Sequence, residues 1–102
     1  MRNAAQTLSA KLAKAQNILA SKMESIQLRD LNVLKAMVLS CASHKNVSTL
    51  VISYETVCEQ YHRLWLLSAV LSPDDLRAWQ AIADTAYDQT KSLCFQYKCD
   101  IN

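Results

Sequence analysis

The 102-residue chain contains no glycine and a single proline. A chain of this length and average composition holds roughly seven glycines. Without them it lacks the residue that tight hairpins, bulges and phosphate-cradling loops use for positive φ and close backbone approach. A P-loop and a dinucleotide-binding fingerprint are therefore excluded. No run of about 18 apolar residues occurs, which argues against a membrane-spanning helix. The opening stretch, MRNAAQTLSAKLAKAQ, is amphipathic and has no continuous apolar block, so it does not read as a secretory signal. Arg2 offers no myristoyl acceptor, and Asp100 and Asn102 in the final CDIN do not fit a prenylation signal. The expected setting is intracellular, cytoplasmic or nuclear. There the four cysteines are thiols rather than disulfides, and the sequon Asn46-Val47-Ser48 goes unused.

What is present points to an all-α protein. Hydrophobic residues make up 51% of the chain, enough for a folded core in one domain. The net charge is +2, and it is unevenly spread. Residues 1–45 carry seven Lys/Arg against Glu24 and Asp30, whereas residues 46–102 carry four against seven Asp/Glu. Such a split serves internal pairing, head-to-tail association or a basic contact surface.

Apolar periodicity predicts four helices, at about 3–26, 28–43, 49–71 and 73–97. In the first, Leu8, Leu12, Ala15, Leu19, Met23 and Ile26 form one stripe at steps of three and four. Lys11, Lys14 and Lys22 lie along a basic edge beside it. The second carries Leu31, Leu34, Val38 and Cys41 at the same spacing, with Asp30 or Ser25 as candidate caps; nothing between residues 24 and 30 breaks the chain, so the first two helices are either continuous or kinked. The polar SHKNVS at 43–48 is the clearest break, with Asn46 suited to a left-handed C-terminal position and Ser48 to an N-cap.

The third helix has a regular heptad seam of Leu50, Tyr54, Val57, Tyr61, Leu64, Ser68 and Leu71. The fourth has a matching one of Leu76, Trp79, Ala83, Ala86, Thr90, Leu93 and Tyr97. Between them lies LSPDDL. Ser72 reads as an N-cap and Pro73 as the first helical residue, where a missing N–H costs nothing. Asp74 and Asp75 fall in the first turn, where carboxylates meet the positive helix end. Leu71 and Leu76 are placed for a hydrophobic staple. A turn this short between two seams predicts an antiparallel helical hairpin with coiled-coil-like packing, set in a three- or four-helix bundle. Residue 58 should then lie at the height of residue 86.

No set of residues assembles the roles of a catalyst, and no cofactor is expected. Cys58 and His62 share a helix face and are the nearest approach to a metal pair, but no C-x-x-C accompanies them, and small buried hydrophobes are the plainer reading of Cys41, Cys58 and Cys94. The same Cys–His pair has no oxyanion hole or cleft for nucleophilic chemistry. Lys11, Lys14, Lys22 and Arg29 are candidates for phosphate contacts with a nucleic acid, although no aromatics interleave them and a solvated helix face is the plainer reading. The most informative residues are the aromatics of the hairpin. Tyr61, Trp65, Trp79 and Tyr87 are candidate contacts for a partner helix or a second copy, or else part of the core.

The segment SYETVCEQYHRLWLLSAVLSPDDLRAWQAIADTAYDQ, residues 53–89, resembles the N-terminal helical region of Gag-like polyproteins of BEL/Pao-type retrotransposons, with Tyr54, Val57, Tyr61, Leu64, Leu71, Pro73, Asp74 and Tyr87 at the matching places. LRDLNVLKAM, residues 28–37, is similar to the helix that leads into that region. The resemblance implies a non-enzymatic assembly role, with nucleic acid nearby. The family's capsid, protease and Cys/His-knuckle segments are not among these 102 residues. The expectation is a structural or interaction protein that self-associates or binds a partner helix. The alternatives are a nucleic-acid-binding helical protein and a small helical regulator of a protein partner.

Overall fold

A computed structural model describes residues 4–19 and 28–101. The described residues form an all-helical bundle: α1 (Ala4–Asn17), α2 (Leu31–Leu39), α3 (Val47–Leu67) and α4 (Pro73–Ile101). At 1.5 Å per residue the 29 residues of α4 span about 43 Å, which accounts for the 45 Å long axis of the molecule.

The hairpin is the largest helix–helix contact in the fold. Leu50, Tyr54, Val57, Tyr61 and Leu64, five successive seam positions of α3, are completely buried. Across the hairpin, Tyr61 Oη donates to Asp84 Oδ1 at 2.6 Å. Ser53 and Thr90 meet hydroxyl to hydroxyl at 2.5 Å. Thr90 already donates its one proton to the Ala86 carbonyl at 2.9 Å, so Ser53 is the donor of that pair. The two cross-links are antiparallel and centre on Ser72. At that corner Ser72 Oγ accepts from the Asp75 N–H at 3.2 Å, and the Leu76 N–H donates to the Ser72 carbonyl at 2.8 Å, the first bond of α4. Asp74 and Asp75 lie in the first turn as expected, and Asp74 pairs with Arg77.

Four local features differ from the periodicity. First, α3 ends at Leu67 rather than Leu71, because Ser68 turns back on its own chain: its N–H and its hydroxyl both donate to the Trp65 carbonyl. Second, α3 begins at Val47, and Ser48 is not its cap. Asn46 stands at the N-cap with φ −105°, not in the left-handed region, and makes no side-chain capping bond. Third, the buried face of α4 is Ala83, Tyr87, Thr90 and Cys94, so Tyr87 and Cys94 take the inward places expected of Ala86 and Leu93. The reason is that α4 packs against α2 as well as α3, which turns its apolar face toward both. Fourth, α4 continues past Tyr97 to Ile101.

The first two helices are separate elements. α1 ends at Asn17, followed by a turn at Ile18 and Leu19, and Asp30 is extended at φ −71°, ψ 98° before α2. The expected continuation of α1 through Met23 and Ile26, and the alternative cap Ser25, lie outside the described residues. Asp30 is the cap of α2, its carboxylate accepting from the N–H groups of Asn32 (3.0 Å) and Val33 (3.2 Å). The end of α1 is tied to the beginning of α2 through Gln16, whose amide donates to Asn32 Oδ1 and accepts from Lys35 Nζ, both at 3.1 Å. Leu8, Leu12 and Leu19 complete the core from the α1 side.

Candidate functional site

Contacts tie the segment from Arg29 to His44, which contains α2, to α4 at both ends of that segment. At the first, the Tyr87 hydroxyl donates to the Asp30 carbonyl at 2.8 Å, and the Arg29 guanidinium lies 5.7 Å from the centroid of the Tyr87 ring. Arg29 also reaches Asp88 at 3.2 Å and Asp84 at 3.8 Å. At the second, His44 stacks on Tyr97 with ring centroids 4.0 Å apart and planes 4° from parallel. Its Nδ1 accepts from the Asn46 N–H at 2.9 Å, which places the ring proton on Nε2, facing Asp100 Oδ2 at 3.2 Å. Between these ends the Cys41 thiol donates to the Cys94 carbonyl at 3.4 Å. Every group here has a partner inside the fold, so these contacts are structural. Sequence reasoning missed the His44–Tyr97–Asp100 cluster because His44 is more than fifty residues from the other two.

The aromatic candidates divide into two classes. Tyr61 is fully buried and Tyr87 nearly so; their rings fill the core and present no surface to a partner. Burial raises the pKa of both phenols, and the neighbouring carboxylates, Asp84 at Tyr61 and Asp30 at Tyr87, add to the effect. Trp65 and Trp79 are half-buried near the hairpin corner. Trp65 stacks on His62 with centroids 6.0 Å apart, beside exposed Leu66 and Val70.

That stacking also bears on the weak metal alternative. His62 lies at the edge of the bundle against Trp65, whereas Cys58 is completely buried. Burial pushes the Cys58 thiol up to about 12, with Glu55 and Glu59 adding to the rise and a hydrogen bond with Tyr54 opposing it. A nucleophile must be a thiolate, and burial holds this group as the thiol at neutral pH. Among the described residues no group of three or more His, Cys, Asp or Glu is placed to hold an ion.

The basic candidates are not gathered into one surface. Arg29 is engaged with Asp84, Asp88 and Tyr87 at α4. Lys22 lies outside the described residues. Lys11 and Lys14 stand together on α1, along a groove of about 570 Å³ between α1 and α3. Each helix contributes one face. From α1 and the turn that follows it come Lys11, Lys14, Ala15 and Ile18; from α3 come Ser48, Val51, Ile52, Glu55 and Glu59. Both sets contain the i, i+3, i+4, i+7 spacing of a single helical stripe. Val51 is buried at the base, whereas Ile18 and Ile52 are 44% and 63% exposed. One wall is thus basic and the facing wall acidic, yet no ion pair within 4.0 Å joins them among the described residues. A second depression, of about 560 Å³, lies between α1 and α2. Gln16, Asn32, Lys35 and Asp30 in it already have partners, since Gln16 bonds Asn32 and Lys35, and Asp30 caps α2. The α1/α3 groove therefore combines open apolar side chains with charged groups that have no ion-pair partner among the described residues.

No described helix is long and apolar enough to cross a membrane. Compared with known protein families, with curated proteins and with solved structures, the chain matches none of them.

Proposed function

We propose that this protein acts without catalysis, as a helical interaction module that associates with copies of itself or with a partner helix. The observation that carries the reading is the α1/α3 groove, where exposed Ile18 and Ile52 stand among four charged side chains that have no ion-pair partner among the described residues. Apolar side chains set among polar ones are the pattern of a contact surface. The buried part of the molecule supports it by what it uses up: the buried tyrosines, the three buried thiols and His44 are committed to internal packing. A narrower form of the reading is a Gag-like assembly domain, which the resemblance of residues 53–89 to that family's helical region would imply.

Trp65 and Trp79 form a second candidate contact at the hairpin corner. Light scattering across a concentration series, at low and high salt, tests the reading together with Trp65→Ala and Trp79→Ala made separately. Association that persists in high salt, and that either tryptophan variant weakens while keeping its helical circular dichroism, supports a protein interface that includes the corner. Unfolding of a variant assigns that tryptophan to the core. A monomer at every concentration overturns self-association. Steep loss of binding to an added DNA duplex with rising salt would instead mark a nucleic-acid binder.

A further inference from the structure

The groove between α1 and α3 has a polarity that says what fills it. Its α1 wall bears Lys11 and Lys14, its α3 wall bears Glu55 and Glu59, and Ala15 and Val51 lie at its base with Ile18 and Ile52 open to solvent. All four charged side chains are exposed, and none has an ion-pair partner among the described residues. An anionic partner such as nucleic acid would meet the two glutamates as well as the lysines. A purely cationic one would meet the lysines. The occupant that satisfies both walls carries the same split of charge, in the opposite sense, about an apolar centre.

We infer that this occupant is a second copy of the chain, seated face to face about a two-fold axis running along the groove, with Lys11 and Lys14 of each copy over Glu55 and Glu59 of the other. Two like faces can meet about an axis lying in the plane between them. An axis along the groove exchanges its two walls, so basic lies over acidic at both edges. An axis across the groove leaves the walls in place and sets Lys against Lys and Glu against Glu, which opposes docking. The charges thus select one of the two arrangements. Every pairing occurs twice, as a two-fold interface requires, and Ile18 and Ile52 of both copies are covered between. The division of labour follows. The isoleucines supply burial, and the exposed charges supply register and rate of encounter more than affinity. The inference rests on the reading that the protein works by association, and it names which surface and which partner.

A charge exchange tests it. In Lys11→Glu/Lys14→Glu both walls are acidic, and in Glu55→Lys/Glu59→Lys both are basic. The wild type is expected to be a dimer. Each double variant alone is expected to be a monomer with unchanged helical circular dichroism, and the two mixed in equal amounts are expected to form a heterodimer. Should a double variant lose helix, the single changes Lys14→Glu and Glu59→Lys in separate chains read the same pairing. If both variants dimerise as the wild type does, association runs through another surface, and this inference fails while the interaction reading stands. If the variants are monomeric and their mixture stays monomeric, the pairing of walls is wrong. A wild type that remains monomeric at high concentration overturns both the pairing and self-association.

Discussion

The hydroxyl of Tyr61, on α3, donates a 2.6 Å hydrogen bond to Asp84, on α4, so that a ring at the centre of the hairpin ends on a carboxylate at its edge. The same oxygen of Asp84 accepts from Gln80 at 3.1 Å and lies 3.8 Å from the Arg29 guanidinium. One bond therefore couples the apolar seam to the ion pairs that hold the segment before α2. Removing the hydroxyl leaves Asp84 with its other partners and partial access to water. Tyr61→Phe is expected to cost about 1–2 kcal/mol, toward the low end for a hydrogen bond to a charged group. Tyr61→Ala, which also opens a cavity, is expected to cost about 3–5 kcal/mol. Urea denaturation of the two variants checks both values, and equal costs would mean that the hydroxyl carries the whole effect.

The corner of the hairpin depends on local bonds. Ser72 Oγ accepts the Asp75 N–H at 3.2 Å, and the carboxylates of Asp74 and Asp75 sit at the positive end of α4. Ser72→Ala is expected to lower stability by about 1 kcal/mol. Ser72→Asp is expected to restore most of it, because an aspartate side chain offers the same acceptor. Thermal melts of the pair check this, and identical melting of Ser72→Ala and wild type would remove the cap from the account.

Three of the four thiols are buried, and Cys99 is exposed. Burial pushes Cys58 and Cys94 up to about 12 from an ordinary value of 9.0. In the unfolded chain these groups ionise near the ordinary value, so above it the unfolded state has lost protons that the folded state keeps. Their contribution to stability is therefore full below about pH 9 and falls as pH rises toward 12; the tyrosines, also raised by burial, extend the fall at higher pH. Two measurements follow. Denaturation midpoints are expected to hold up to about pH 9 and drop beyond it. Alkylation at neutral pH is expected to modify Cys99 quickly and the other three only on unfolding. Rapid labelling of all four in the native protein would contradict the packing of α2, α3 and α4.

How much of this was legible in the sequence follows from the range of the interactions. The α3 seam from Leu50 to Leu64 was readable because a helix repeats its buried face within itself, and all five positions are buried. The cap at Ser72 and the first-turn acids were readable because their partners lie within four residues. The cap of α2 was narrowed to two candidates, of which Asp30 is the one used. The face of α4 was misplaced by one residue at two positions, since a seam read as a two-helix contact takes no account of α2 on its far side. Tyr87 goes inward because its hydroxyl finds the Asp30 carbonyl, a partner that no periodicity reveals. The end of α3 was set too late, for apolar spacing continues through Leu71 where the backbone turns at Ser68. In the candidate site Lys11 and Lys14 were singled out, but the acidic wall facing them comes from another helix and emerges only from the packing of α1 on α3.

The most direct test of the central claim, that this bundle acts by association through its helical surface, is sedimentation of the wild type and of Ile52→Glu over a wide range of concentration. Ile52 is 63% exposed in the groove, so the change leaves the core intact and places a charge where the second copy is expected to pack. The account predicts a wild-type mass that rises from monomer to dimer with concentration, and an Ile52→Glu variant that stays monomeric with the same helical content. A wild type that stays monomeric throughout would contradict it, and a variant that associates as readily as the wild type would place the interface outside the groove.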